Sequence, residues 1–243
     1  MLRAVVLIPC YNEDKNIVNV IRNINNFTDH SAETDFTIDY IIINDCSKDE
    51  TLTVCKENNY NYLNLPVNLG IGGCVQTGYK YAYEQGYDVA IQHDGDGQHD
   101  PACFKNVIEP ILAGQADIVI GSRFINNNGF QSTGLRRFGI GFLSRMIRLC
   151  TGVKIYDVTS GYRAVNKKYI EYFAKHYAQD FPEPESIVDA VRNKAKIVEV
   201  PVIMHERKEG KSSIGTLKSI YYMIKVSLSI LLHRIITPYK GDI

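Results

Sequence analysis

The 243 residues predict an α/β fold, with a mostly parallel central sheet flanked by helices and a C-terminal amphipathic helical tail. Short continuous apolar runs, such as Ala4-Val5-Val6-Leu7-Ile8 and Tyr40-Ile41-Ile42-Ile43, read as strands buried on both faces. Segments with helical spacing of apolar residues alternate with them. Several runs also end in acids or glycines, as strands do when their carboxyl ends build a site.

The first strand, Ala4 to Pro9, is followed by Tyr11-Asn12-Glu13 and a helix with Ile17, Val20, Ile21 and Ile24 on one face, which Asn12 or Asp14 could cap. Asp39 to Asp45 is the second strand, and Ser47-Lys48-Asp49-Glu50 reads as a capping box opening the next helix. Tyr62 to Leu65 is the third. Asn68-Leu69-Gly70-Ile71-Gly72-Gly73 then opens a helix to about Gln85; its glycines suit either a phosphate cradle or close helix packing. Asp88 to Ile91 is the fourth strand, followed by a helix from about Pro101 to Ala113. Asp117 to Ile120 is the fifth, ending in Gly121-Ser122-Arg123, and Ile197 to Val202 is the last.

The fourth strand runs into His93-Asp94-Gly95-Asp96-Gly97-Gln98-His99-Asp100. Asp94 and Asp96 are two apart and would share a side of a continuing strand. Gly95 and Gly97 let the backbone turn sharply beside a bulky anion. Two carboxylates with Gln98 as a neutral oxygen donor suit Mg²⁺ or Mn²⁺, the remaining ligands coming from substrate phosphates and water. The competing reading is an ordinary Asp-Gly surface turn.

Composition bounds the alternatives. The 27 basic and 27 acidic side chains cancel, so nothing points to nucleic acid as a partner. Six scattered cysteines without a Cys-x-x-Cys pair fit neither a zinc site nor a disulfide framework. A strand beginning almost at Met1 predicts no signal peptide, and no apolar stretch reaches the roughly 18 residues of a membrane span. The expected location is cytoplasmic, peripheral on the inner face of the cell membrane.

Pro9-Cys10-Tyr11-Asn12-Glu13, Asn44-Asp45-Cys46-Ser47, Asn68-Leu69-Gly70, Asp94-Gly95-Asp96-Gly97-Gln98-His99 and Gly121-Ser122-Arg123 follow one another in order. Together they resemble a family 2 glycosyltransferase of GT-A fold, close to the dolichyl- and polyprenyl-phosphate sugar transferases and bacterial cell-surface polysaccharide enzymes. The resemblance covers about residues 4 to 215. It implies a nucleotide-sugar donor, a divalent metal and inversion at the anomeric carbon. Pro9, Tyr11 and Glu13 would line the nucleoside pocket and Asp45 would bind base or ribose. Asp94 would hold the ribose–metal region among the catalytic residues, with Asp96 and Gln98 on the cation. A sugar-nucleotidyltransferase should instead carry a Gly-rich basic loop after the first strand, which Pro9 to Glu13 is not.

Arg123, at the end of a strand, is a candidate donor-phosphate ligand. Arg136, Arg137, Arg145 and Arg148 interleave with Phe138, Ile140, Phe142 and Leu143 as a basic, apolar acceptor groove or a solvated helix face. By resemblance Arg137 would bind acceptor phosphate. Asp157-Val158-Thr159-Ser160-Gly161-Tyr162-Arg163 resembles a subgroup loop near the sugar pocket, which adds Asp157 to the acceptor side. Asp180-Phe181-Pro182-Glu183-Pro184-Glu185 matches the acidic segment that supplies a catalytic base, with Glu185 first and Glu183 second, or else it caps a helix near Ser186. His205 to Ser213 resembles the lid over the donor diphosphate, with Arg207 and Lys211 on the phosphates and Ser213 where a lysine is expected.

The domain is expected to span 1–213. Residues 214–243 form the tail, whose basic amphipathic stretch, 214–236, would touch a membrane surface or a second subunit of a homodimer rather than the core. The leading expectation is transfer from a UDP-sugar to a hydroxyl of a lipid-linked or cell-surface glycan. The alternatives are a polyprenyl-phosphate acceptor and a non-catalytic nucleotide-sugar-binding protein.

Overall fold

A computed structural model describes residues 1–30, 36–126, 129–130, 134–206 and 225–229. Seven strands form one sheet in the order β3-β2-β1-β4-β6-β5-β7. They are β1 (Leu2–Cys10), β2 (Phe36–Asn44), β3 (Tyr62–Asn64), β4 (Val89–Gln92), β5 (Ile118–Ser122), β6 (Arg163–Asn166) and β7 (Ile197–Pro201). Helices α1 (Ile17–His30), α2 (Thr51–Glu57), α3 (Gly70–Glu84), α4 (Phe104–Leu112), α5 (Gly134–Thr151), α6 (Lys167–Lys175) and α7 (Pro182–Arg192) connect them. All pairings are parallel except those of β6, which runs antiparallel to both β4 and β5.

Alternation along β1 explains its continuous apolar run. Val5 and Leu7 join the core with Tyr79, Leu143, Ile147, Tyr169 and Phe173 on one side of the sheet. Ala4, Val6 and Ile8 join Ile17, Ile21, Ile24, Phe104 and Val107 on the other. Gly72 has a packing role: a Cβ there would lie 2.3 Å from the Gln179 carbonyl oxygen. The packing reading therefore holds for Gly72 and Gly73, whereas Gly70, at φ +71°, has open space where a Cβ would stand.

Three sequence expectations change. β6 was not expected, and it reverses strand direction in mid-sheet. The capping box is not formed; Asp49 Oδ1 instead accepts from Thr51 N and Thr51 Oγ1, at 3.0 and 2.6 Å. Asn12 does not cap α1, since its Oδ1 accepts from Lys48 N across to the neighbouring loop at 2.8 Å. Asp14, the other candidate, is drawn to the same loop, its amide donating to Asp49 Oδ2 at 3.2 Å and its side chain hydrogen-bonded to the Asp49 carboxyl.

Of the tail, residues 225–229 are helical and turn into the domain. Val226 is fully buried in the core shared by α3, α5, α6 and α7, and Lys225 Nζ pairs with Asp180 at 2.9 Å. Within these five residues Val226 packs on the core while Leu228 is exposed; the rest of 214–236, on which the membrane or dimer contact was expected, lies outside the described residues. Among the described residues no helix is long and apolar enough to cross a membrane.

Candidate active site

From β1 the chain steps outward through β2 to β3, then returns to place β4 on the other side of β1. The crevice at the carboxyl ends of β1 and β4 is thus the switch point where α/β folds bind ligands. Over it passes the loop Asp94–Asp100. Gly95 crosses the end of β1 so closely that a Cβ would lie 2.5 Å from Cys10 Sγ. Gly97 supplies the turn with φ +76°.

The loop is held from several directions. Gln98 N donates to Asp96 Oδ1 at 3.0 Å, and Asp94 N donates to His99 Nδ1 at 3.0 Å. After β7, His205 N donates to Gln98 O at 2.8 Å, Gln98 Nε2 donates to His205 O at 3.2 Å, and His205 Nε2 lies 3.1 Å from Asp100 Oδ2. Gly161 leaves room for the Asp94 carboxylate, since a Cβ there would stand 2.9 and 3.1 Å from its oxygens.

Beneath the loop lies an aromatic stack. His99 is parallel to Tyr162 at 4.7 Å, and Tyr162 Oη donates to Asp100 O at 2.8 Å. His93 is buried edge-on to His99, Phe104 and Tyr162. Neither of its ring nitrogens meets a hydrogen-bond partner of good geometry. Burial pushes His93 down to about 3 and His99 to about 4, so both rings are neutral.

On the nucleoside side, Asp45 is buried and its Oδ1 accepts from Leu69 N at 2.7 Å. Burial raises its carboxyl, opposed by the amides of Leu69 and Gly70. Pro9 is buried in β1 and Tyr11 is exposed at the rim. Glu13 is buried beside them: its Oε2 accepts from Asn16 Nδ2 at 2.7 Å and its carbonyl accepts the amides of Asn16 and Ile17 at the start of α1.

The acceptor side departs further from expectation. Arg123 forks onto Asp157 through Nε and Nη2, both at 2.7 Å, and both residues are buried. Glu199 on β7 accepts the amides of Tyr156 and Asp157 at 2.7 and 2.8 Å. Arg123 and Asp157 therefore hold the 123–157 segment to the sheet rather than presenting charge to a phosphate or an acceptor. Arg137 lies over the Phe124 ring at 5.5 Å.

Helix α7 begins at Pro182, so Glu183 and Glu185 fall inside its first turn rather than ahead of a helix at Ser186. Their order of candidacy reverses. Glu185 Oε1 accepts from Ser229 Oγ at 2.6 Å, turned toward the tail. Glu183 lies within electrostatic reach of Asp94, Arg163 and Arg136, and burial raises its carboxyl above the usual range. Arg163, buried at the start of β6, seats this turn by donating to Glu183 O and Ser186 Oγ, each at 2.8 Å. Arg207 and Lys211 lie outside the described residues.

Glu199 escaped sequence reasoning, while Gly161, Arg163 and His205 lay inside the 157–163 and 205–213 segments that it singled out, without individual roles.

Among the described residues no three His, Cys, Asp or Glu side chains gather into a metal cluster. The loop instead offers Asp94, Asp96 and Gln98, a small set of hard oxygens. Such a set suits a cation that takes its other ligands from phosphate and water. The space left at Gly161 for the Asp94 carboxylate fits the same use.

The family model described as glycosyl transferase family 2 matches residues 5–173. A UDP-N-acetylglucosamine–dolichyl-phosphate N-acetylglucosaminyltransferase of Methanococcus voltae is 35% identical over 217 residues, covering 81% of this chain and 83% of its own. A polyprenol monophosphomannose synthase of Mycolicibacterium smegmatis is 26% identical over 226 residues, covering 88% of this chain and 81% of its own. Among solved structures, glucosyl-3-phosphoglycerate synthase from Mycobacterium tuberculosis, in complex with Mn²⁺, UDP and glucosyl-3-phosphoglycerate, superposes with TM-score 0.69 at 17% identity. That match covers 99% of this chain and 82% of the other, and the likeness is one of fold.

Proposed function

The chain belongs to glycosyl transferase family 2, and from that premise we propose that it moves a sugar from a UDP-sugar to a polyprenyl phosphate, with inversion, using a divalent cation. The observation that carries this reading is the placement of Asp45, Asp94 and Asp96 just past the carboxyl ends of β2 and β4, the two strands that flank β1. Asp45, with the Asn68–Gly70 turn bound to it, orients the nucleoside. Asp96 and Gln98 hold Mg²⁺ or Mn²⁺, and Asp94 steadies the ribose side. When bound, the cation supplies positive charge to the departing diphosphate. An oxygen of the acceptor attacks the anomeric carbon as its bond to the diphosphate breaks, and UDP leaves with the electron pair.

The acceptor assignment departs from the hydroxyl expectation. A phosphate is already an anion and needs no base. Glu185, first candidate for that base, is engaged by Ser229. The M. voltae and M. smegmatis relatives are named for dolichyl phosphate and for a polyprenol monophosphate product. One observation favours the hydroxyl reading: Glu183, with its raised carboxyl beside Asp94, is suited to take a proton.

Calorimetric titration of UDP with Mn²⁺ and with EDTA, on wild type and Asp96→Ala, tests the donor half. Metal-dependent binding that disappears in Asp96→Ala is expected; binding indifferent to both metal and Asp96 overturns the cation site. Transfer from radiolabelled UDP-N-acetylglucosamine to dolichyl phosphate then tests the acceptor half. Transfer only to a glycan hydroxyl would overturn the phosphate reading.

A further inference from the structure

Helix α5 is apolar on two faces. Ile140, Leu143 and Ile147 are buried against the domain, as an amphipathic helix requires. Phe138, Phe142 and Leu149 nevertheless stand on the opposite side, 72%, 44% and 77% exposed. Together with Arg145 they sit at spacings i, i+4, i+7 and i+11, which share one helix face. An outward apolar stripe of this kind marks a contact surface.

Charge selects what it meets. Across its 18 residues α5 carries Arg136, Arg137, Arg145 and Arg148 and no Asp or Glu. Arg145 and Arg148 are exposed beside the apolar stripe. Just beyond the helix, Lys154 Nζ lies 4.5 Å from the Tyr156 ring centre, a polar-tipped aromatic paired with a cation and 47% exposed. A second copy of the chain is disfavoured, because a two-fold contact would set these arginines against their own counterparts. A surface of phosphates over hydrocarbon matches both features. The helix is about 27 Å long, enough to lie along such a surface.

We propose that the outer face of α5 lies on an anionic lipid bilayer, with Phe138, Phe142 and Leu149 entering the acyl boundary and Arg145 and Arg148 among the headgroup phosphates. This contact is separate from the one expected of the tail, whose described part buries Val226 in the domain and leaves Leu228 exposed. The contact is independent of which donor and acceptor the enzyme uses.

Co-sedimentation of the full chain with vesicles tests it, using phosphatidylcholine alone and phosphatidylcholine mixed with phosphatidylglycerol, at low and high salt. Binding is expected to need phosphatidylglycerol and to weaken with salt. The triple variant Phe138→Ser, Phe142→Ser, Leu149→Ser should partition roughly a hundredfold more weakly. The double variant Arg145→Gln, Arg148→Gln should lose roughly thirtyfold, at about 1 kcal/mol per arginine. UDP titration of both variants reports whether fold and donor site are intact, and no change is expected. Three results would overturn the assignment: no binding of wild type to phosphatidylglycerol vesicles, wild-type binding by the triple variant, or a solution dimer that the triple variant converts to monomer.

Discussion

Replacing His93 with Met should make the protein less sensitive to acid. Below 6.5 the unfolded chain takes up a proton at His93 that the folded chain refuses until about 3. The unfolded state then binds more protons, so stability falls as pH falls through that window. At about pH 5 the loss is about 1.5 pH units at about 1.4 kcal/mol each, or ~2 kcal/mol for this one side chain. His99, held down to about 4, adds a similar loss. Glu183 and Glu199 act with the opposite sign: burial raises their carboxyls, so they favour the folded state as pH falls. Both remain in the variant, so the difference between variant and wild type isolates His93. Methionine fills the same space without ring nitrogens. It forfeits the edge contacts to His99, Phe104 and Tyr162, and it also removes two buried nitrogens without hydrogen-bond partners. The two proteins should therefore be similar near neutrality. Urea unfolding followed by circular dichroism at about pH 7.5 and about pH 5 should show the variant gaining ~2 kcal/mol on wild type at the lower pH. Parallel loss of stability in the two proteins would refute a His93 held neutral by burial.

Arg123→Met should cost about 3–5 kcal/mol in urea unfolding, because it strands the Asp157 carboxylate in the core. Adding Asp157→Leu should recover part of that loss, and no recovery would mean the pair is not the unit described. Gly161→Ala puts a methyl 2.9 Å from Asp94 Oδ2, and should lower the transfer rate roughly a hundredfold with an unchanged circular dichroism spectrum; wild-type rates would show that the carboxylate need not hold its place. With dolichyl phosphate as acceptor, Glu185→Gln and Glu183→Gln should each keep kcat within about threefold, whereas a loss of roughly a hundredfold or more in Glu183→Gln would restore the hydroxyl chemistry.

The parts of the fold legible in the sequence were those whose cause is local. β1, β2, β4 and β5 lie between two helical layers, and burial on both faces writes itself as an unbroken apolar run. The Asp94–Gln98 turn was legible for the same reason, its glycines and its candidate oxygen donors being contiguous. β6 offers only Ala164 and Val165 between a buried arginine and an asparagine cap, too short a run to read as a strand. The start of α7 was hidden by its prolines. They suggest a stiff loop, yet the first-turn amides of a helix have no partners to lose, so Pro182 and Pro184 are tolerated there. Arg123 read as a phosphate ligand because its partner lies 34 residues away. Only the reversal through β6 brings Asp157 back beneath it.

That reversal has a consequence for how such an enzyme can diversify. Arg163 is paired with Gln92 on one side and Ile120 on the other, so β6 starts at the edge where β4 and β5 end. The excursion from Arg123 to Tyr162 leaves and rejoins the sheet on adjacent strands, about 4.8 Å apart. It carries α5, Arg137 and the Asp157 turn. The outer part of the excursion, around α5, can therefore vary in length without shifting the register of any strand. Its last residues do not share that freedom, since Gly161 faces the Asp94 carboxylate and Tyr162 stacks on His99 beneath the 94–100 loop. A lineage could thus alter what α5 meets while Gly161 and Tyr162 keep that loop in place.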